Sequence, residues 1–225
     1  QDENLFNDDT VFYFREGSAN KKPGKAVGKT MHEKIKDEAK FKDLEKIKDW
    51  RKVLSNMHYN GAGYVERTDG DDTIEPLFEL DGLKWASVEH YYHANKFKKN
   101  TPDYYKKFAI DSGSAFAFEP KKALGAGGKG GKVREKNPET KKVKIIFSRP
   151  RDIVMDEDFF DGKNPELVME RAQQAKYEQD DLSKRVLLAT KDAKLVHHIK
   201  PRGAPKPSIV FYNTMRVRHR LKKKN

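Results

Sequence analysis

A carboxylate and an amine, Glu89 and Lys96, lie seven residues apart in the aromatic-rich segment 85–97, WASVEHYYHANKF. In a helix, seven steps return to nearly the same face and leave the two Cα atoms roughly 10 Å apart along it. That separation is too long for an ordinary i,i+4 ion pair. It leaves room for a sugar-sized ligand between an acid and an amine. From the geometry alone, two solvated charges on a helix surface remain the alternative.

The same segment carries the signals of a short helix. Ser87 suits the N-cap position, and Glu89 then falls in the first turn, where the helix dipole favours an ionised carboxylate. Tyr92 and His93 lie between the acid and the amine on the same face. His90, on the core side, is expected to be a structural histidine and not a zinc ligand. The residues predicted to face the core are Val88, Tyr91, Ala94 and Phe97.

This stretch resembles the signature of the NADAR (YbiA-like) family, named for NAD and ADP-ribose. The signature is a glycine, a Trp, then Ser-x-Glu-His-Tyr and, shortly after, Lys-Phe. The matching residues are Gly82, Trp85, Ser87, Glu89, His90, Tyr91, Lys96 and Phe97.

The resemblance runs from about residue 54 to residue 221. It is strongest in 85–97, moderate in 169–196 and weak beyond. The further matching elements are Leu54-Ser55-Asn56, Met169 with Lys176-Tyr177 and Gln179, Leu187-Leu188-Ala189-Thr190, and Lys194-Leu195-Val196.

The resemblance implies an α+β fold, mainly α-helical, as a single domain over residues 1–225 with a small β-sheet. Residues 1–10 and 222–225 are expected to be flexible. It also implies hydrolysis of an N-glycosidic bond at a ribose anomeric carbon, because known members remove ADP-ribose from guanine in nucleic acid or cleave early riboflavin-pathway intermediates. ADP-ribosylated nucleic acid and ADP-ribose are then the expected partners, together with a functional pairing to a DNA ADP-ribosyltransferase. No metal or cofactor is implied.

Residue by residue, the resemblance assigns roles at the site. Glu89 would serve as acid–base or stabilise the ribose cation. Lys96 would attack the opened sugar as a neutral amine, or bind phosphate or a hydroxyl as a cation. Trp85 and Tyr92 would supply walls for stacking, and Asn56 would hydrogen-bond the sugar or base. Packing beneath the helix is the alternative for Trp85, and a turn position is the alternative for Asn56.

The net charge of +12 is concentrated in two short segments. Residues 121–144 contain nine basic and two acidic residues, and residues 216–225 contain six basic residues and no acid. Such concentration on a nearly neutral body indicates a polyanion-binding surface. A solubilising tail is the alternative for Lys222–Lys224. The nucleic-acid contacts expected from these segments are Lys129, Lys132, Arg216 and Arg218.

The composition limits the chemistry and the compartment. There is no cysteine, which excludes disulfides, thiol catalysis and cysteine-ligated metals. No apolar run approaches the length of a membrane span and no signal peptide is recognised, so an intracellular protein, cytoplasmic or nuclear, is expected.

One departure from the family pattern affects substrate choice. His197 stands where the family has a glutamate, and the basic, proline-rich segment 200–207 replaces an acidic, Trp-Gly-containing loop. A second catalytic carboxylate is therefore not carried over. Three functions compete: an N-glycosidase acting on ADP-ribosylated guanine, the same chemistry on a riboflavin-pathway ribosylamine, and a non-catalytic module binding ADP-ribose or nucleic acid.

Local patterns predict the remaining elements. Residues 125–131, with five glycines, are expected to be flexible, and their G-x-G-x-x-G match lacks the strand and helix of a dinucleotide fingerprint. The other predictions are a strand at Val11–Phe14, a helix over Met31–Trp50, a hairpin of Tyr64–Arg67 with Ile74–Leu80, a turn at Asp81-Gly82, helices after Pro102, from Pro165 and over Leu182–Ala189, and a strand leading into a basic helix over Ile209–Leu221.

Overall fold

The computed structural model describes residues 4–28, 31–60, 75–199 and 206–225. Over these residues the fold is α+β and mainly helical, as predicted. None of the helices in the described ranges is both long and apolar enough to cross a membrane. The chain divides into two compact units, residues 1–58 with 180–225, and residues 59–179. The expectation of one domain over 1–225 stays a prediction.

Groups of strands and groups of helices follow one another along the described part of the chain. The strands are β1 (Asn7–Phe14), β2 (Val27–Gly28), β3 (Met31–His32), β4 (Phe78–Leu80), β5 (Leu83–Trp85), β6 (Lys132–Lys136), β7 (Val143–Ser148), β8 (Ala193–His197) and β9 (Ile209–Val210). The α-helices are α1 (Lys42–Glu45), α2 (Trp50–Val53), α3 (Val88–Asn95), α4 (Pro102–Lys107), α5 (Pro120–Gly127), α6 (Asn164–Gln179), α7 (Asp181–Ala189) and α8 (Tyr212–Lys224).

The first unit is built on a three-stranded sheet in the order β1-β8-β9. β1 runs parallel to β8, and β9 pairs antiparallel with β8. Thr10, Phe12 and Phe14 are buried on one face of β1, with less buried residues between them. This alternation confirms the strand predicted at Val11–Phe14. The predicted helices at Leu182–Ala189 and at the basic C-terminus are confirmed as α7 and α8, the latter after the short strand β9.

The single helix predicted over Met31–Trp50 is wrong. The chain forms β3 there, then a 3₁₀ turn over Glu38–Phe41, α1 and α2. The cause is a buried ion pair between Glu33 and Arg51. The Glu33 carboxylate also accepts hydrogen bonds from the backbone N–H groups of Tyr13 (2.8 Å) and Gly24 (2.9 Å). These long-range partners hold the chain in a non-helical course despite its helical periodicity.

The second unit begins with a hairpin in which β4 pairs antiparallel with β5. Asp81 and Gly82 form its turn, with φ values of 54° and 75°, the left-handed values that an Asp-Gly turn supplies. The turn prediction is therefore confirmed. The predicted hairpin partner Tyr64–Arg67 lies outside the described residues.

Helices α3, α5 and α6 pack together in the second unit. α3 packs against α5 and α6, and α6 also packs against β4. The Gln179 side-chain amide makes two 2.8 Å hydrogen bonds to the backbone of Glu79, which fixes the end of α6 to the hairpin. The Tyr91 hydroxyl donates to the Asp81 carboxylate at 2.7 Å, which fixes α3 to the same turn. The helices predicted after Pro102 and from Pro165 are confirmed as α4 and α6.

Candidate active site

Helix α3 begins where the sequence predicts. The Ser87 hydroxyl accepts a hydrogen bond from the His90 backbone N–H at 3.2 Å, so Ser87 is the N-cap. The His90 ring is buried, with Nδ1 2.7 Å from the Ser87 hydroxyl and Nε2 2.9 Å from the Phe116 carbonyl. Burial lowers the pKa of His90 to about 3. The ring is therefore neutral, and its expected structural role is confirmed.

On the other face of α3, three side chains form a chain of hydrogen bonds. Glu89 Oε2 lies 3.0 Å from His93 Nε2. The other ring nitrogen of His93, Nδ1, lies 3.1 Å from Lys96 Nζ. The acid and the amine therefore do not face each other across an open gap, as the spacing predicts, because the imidazole of His93 lies between them.

Glu89 is held as a carboxylate. Its side chain is 17% exposed. Burial alone would raise the pKa of Glu89, but the hydrogen bond from His93 and the positive charge of Lys96 outweigh it, and the pKa is lowered. Because the carboxylate only accepts, His93 donates its Nε2–H to Glu89.

Lys96 lies just past the end of α3 and is buried. Burial lowers its pKa to about 8; the nearby Glu89 opposes that shift and the guanidinium of Arg149 adds to it. Besides His93, the amine donates to the Gly127 carbonyl at 3.2 Å. A neutral amine has two N–H groups, and these two acceptors use both. Its lone pair is then left for an electrophile.

The carbonyl partner of Lys96 depends on a glycine. A Cβ on Gly127 would lie 2.5 Å from the Cβ of His93. Only glycine lets α5 approach α3 so closely. The expectation that 125–131 is a flexible loop is wrong for its first part, because Gly125–Gly127 form the end of α5. There the glycines serve helix packing.

Two aromatic rings lie near the amine of Lys96. The Lys96 amine lies 5.2 Å from the ring centroid of Tyr92 and 5.8 Å from that of Phe160. Phe159 packs edge-on against both rings. Tyr92 is half-buried, and burial followed by the charge of Glu89 raises its pKa. The predicted role of Tyr92 as a wall of the site stays a prediction. Phe160 is the second aromatic ring near the amine.

The structure bears differently on the two other residues predicted to bind the ligand, Trp85 and Asn56. Trp85 is fully buried, packs against Tyr91 and Tyr105, and donates its indole N–H to the Leu80 carbonyl at 2.9 Å. It is a core residue, so the expectation that it stacks on a ligand is wrong. Asn56 belongs to the first unit, in the turn that follows α2, and its predicted role stays a prediction.

The two basic segments differ in what they expose. Arg218 is buried, donating to the Thr190 hydroxyl at 2.9 Å and to the Leu5 carbonyl at 3.1 Å, so its predicted nucleic-acid contact is wrong. Arg216 is half-buried and bonds to Asn213. Lys129 and Lys132 are exposed, and their contacts stay predictions.

A second basic surface is a two-stranded ribbon formed by β6 and β7. We call residues 134–145 the arm, since every one of them is exposed. The arm contains five basic and two acidic residues. Val143 and Ile145 add exposed apolar side chains to it, whereas the base of the ribbon is held by the buried Val133.

Two other features of the molecule bear on binding. Within the described ranges, no three His, Asp or Glu side chains cluster closely enough to hold a metal ion. The first unit contains a cavity of about 250 Å³ lined in part by Arg15, Lys21 and Arg51. Asn56 is not among its lining residues.

Three contributors to the site, His93, Gly127 and Phe160, have no site role predicted from the sequence. His93 was visible as i+4 from Glu89 and i−3 from Lys96, the spacing of helix neighbours, so its bridging position was readable. Gly127 and Phe160 are brought to the site by tertiary packing, and no local sequence pattern predicts their positions there. The adjacent pair Phe159-Phe160 was the sole hint in the sequence.

The chain is similar to the E. coli protein YbiA. The NMR structure of that protein matches with a TM-score of 0.47 and 18% sequence identity, over 99% of this chain and 90% of that chain. No protein-family model matches the chain. No curated protein matches it either. The site described above therefore rests on its own residues and distances.

Proposed function

We propose that this protein is an N-glycosidase that hydrolyses the bond between ribose and guanine in ADP-ribosylated nucleic acid. The observation that carries the proposal is the hydrogen-bonded chain from Glu89 through His93 to Lys96. It couples an ionised carboxylate to an amine whose pKa is lowered to about 8 by burial. Such a pairing is typical of a nucleophilic amine and its base.

The chemistry begins with the sugar. Opening the ribose ring leaves a C1=N double bond to the guanine amino nitrogen, and the neutral Lys96 amine adds to C1. The C1–N bond to guanine breaks, guanine leaves with a proton, and Lys96 holds the sugar as a Schiff base. Water then adds to C1, which releases ADP-ribose and restores the amine. The overall reaction consumes one water.

The Glu89–His93 pair handles the proton in this scheme. As Lys96 adds to C1, its nitrogen loses a proton to His93 Nδ1, while His93 Nε2 passes its own proton towards Glu89. The reverse transfer delivers a proton to the departing guanine nitrogen. A positioned acid–base group of this kind contributes on the order of 10²–10⁴-fold in rate. The carboxylate also stabilises positive charge that develops at C1.

The nucleic-acid part of the proposal is supported by the arm. A two-stranded ribbon with excess positive charge fits the major groove of a duplex, and phosphate contacts supply affinity independent of sequence. A small riboflavin precursor has no use for such a surface. An ADP-ribosyltransferase that modifies guanine would supply the substrate.

The test is release of free ADP-ribose from a guanine-ADP-ribosylated oligonucleotide, comparing wild type with Glu89→Gln and Lys96→Ala. Lys106→Ala is the matched control, because Lys106 is exposed on α4. We expect turnover by wild type and the control, and a loss of roughly 100-fold or more in both site variants. Tight ADP-ribose binding without turnover by wild type would contradict the catalytic assignment and leave a binding module.

A further inference from the structure

One large aromatic side chain beside the reactive amine faces solvent. Phe160 is 57% exposed, although its ring centroid lies 5.8 Å from Lys96 Nζ. Its neighbour Phe159 is buried. Scattered exposed apolar residues need no explanation, but an exposed aromatic ring at the edge of a polar site indicates a surface for a ligand.

The segment that carries Phe160 is fastened to the end of α3. The backbone N–H of Asp156 donates to the Lys96 carbonyl at 2.6 Å. The Asp156 carboxylate accepts from the backbone N–H groups of Lys99 at 2.9 Å and Asn100 at 2.8 Å. An ion pair between Lys99 and Asp158 adds a further link. These contacts fix the position of the Phe160 segment relative to the Lys96 amine.

The ring of Phe160 packs against Phe159. Phe159 meets it nearly perpendicular, with centroids 4.9 Å apart and planes at 87°. Phe159 meets Tyr92 in the same manner, at 5.5 Å and 72°. Such edge-to-face packing fixes the orientation of Phe160 and occupies at most one of its two faces. The Lys96 amine lies over the Phe160 ring, with Nζ 5.8 Å from the ring centroid.

We propose that Phe160 is a stacking platform for the purine base of the substrate. This inference rests on the proposed function, in which guanine is the group that leaves when Lys96 attacks the sugar. Stacking of a base on an aromatic side chain changes affinity by roughly five- to a hundredfold. A base on this ring carries its ribosylated amino group beside Lys96. The site is thereby selective for a planar leaving group over an aliphatic amine.

Direct binding is measured with a reporter at the platform. In Phe160→Trp the new indole is titrated with guanosine 5′-monophosphate and, separately, with ribose 5-phosphate. Trp50 and Trp85 are buried and give a constant background. Leu167→Trp is the control, because Leu167 lies in α6 and is 63% exposed. We expect saturable fluorescence quenching by the nucleotide in Phe160→Trp alone, and none by the sugar phosphate.

Kinetics separate the platform from the chemistry. Phe160→Leu keeps an apolar side chain but removes the ring, and we expect KM for ADP-ribosylated guanine to rise at least fivefold, with Phe160→Tyr restoring it. Equal quenching in Phe160→Trp and Leu167→Trp, or unchanged KM in Phe160→Leu, would overturn the platform. Saturable quenching without turnover by wild type would support the platform while contradicting the proposed reaction.

Discussion

His93 Nε2 lies 3.0 Å from Glu89 Oε2, one helical turn along α3. The same imidazole contacts the Lys96 amine through its other nitrogen. A proton can therefore pass between the amine and the carboxylate through one imidazole, without solvent. This relationship gives the pair Glu89 and Lys96 a chemical meaning that their spacing alone does not.

The protonation state of Lys96 sets the expected pH dependence. With a pKa of about 8, the amine is mostly protonated at neutral pH, and the fraction of neutral nucleophile grows as pH rises. We expect kcat/KM to rise about tenfold per pH unit below pH 8 and to level off above it. A pH–rate profile from pH 6 to 9.5 measures this. A fall in kcat/KM above pH 8 would instead mean that the charged ammonium is the working form.

Gly127→Ala tests the close approach of α5 to α3. The added methyl group would meet His93 at 2.5 Å, which forces α5 away and separates the Gly127 carbonyl from Lys96. We expect a loss of about 1–3 kcal/mol in free energy of unfolding and a large fall in turnover. Urea unfolding and the ADP-ribose release assay measure the two effects.

The control for that substitution is Gly130→Ala. A Cβ at Gly130 would have no atom within 4 Å, so stability and turnover should stay near wild type. Equal effects of the two alanines would contradict the packing argument.

His90 gives a stability prediction with a definite sign. Its pKa in the folded protein is about 3, below the ordinary 6.5, so its contribution is present above pH 6.5 and is lost as pH falls from there towards 3. We expect the stability advantage of wild type over His90→Gln to shrink by about 1.4 kcal/mol between pH 7.5 and pH 5.5. Urea unfolding at both pH values measures it, and a constant difference would argue against a buried neutral ring.

The arm predicts a salt dependence that is local to it. Lys136→Ala/Lys142→Ala removes two exposed charges, and we expect the slope of log K against log salt for duplex DNA to become shallower by roughly 1.8. Lys106→Ala/Lys107→Ala removes two exposed charges from α4 and should leave the slope unchanged. Equal changes in both double variants would indicate a non-specific charge effect.

The sequence predicted the site helix well because its determinants are local. The N-cap at Ser87 and the core stripe follow from the order of residues within the segment itself. The segment 31–50 could not be predicted in the same way. Its course depends on the Glu33–Arg51 pair, whose members satisfy backbone groups far away in the sequence.

The misassigned ligand contacts have a common cause. The role of Trp85 comes from the family resemblance and that of Arg218 from the charge of its segment, and neither shows whether the side chain is exposed. Both are buried, and each finds a carbonyl partner in the interior. Burial is set by tertiary packing, which composition and spacing do not encode for a single residue. Phe160 is the converse case, a large apolar side chain left exposed.

The most direct test of the account is chemical trapping at Lys96. Borohydride reduces a Schiff base to a stable amine, so wild type turning over ADP-ribosylated oligonucleotide should acquire an ADP-ribose adduct on Lys96, identified by peptide mass spectrometry. Lys96→Arg should acquire none, whereas the exposed control Lys106→Arg should behave like wild type. Turnover by wild type with no adduct, or with the adduct on another lysine, would contradict the assignment of Lys96 as the nucleophile.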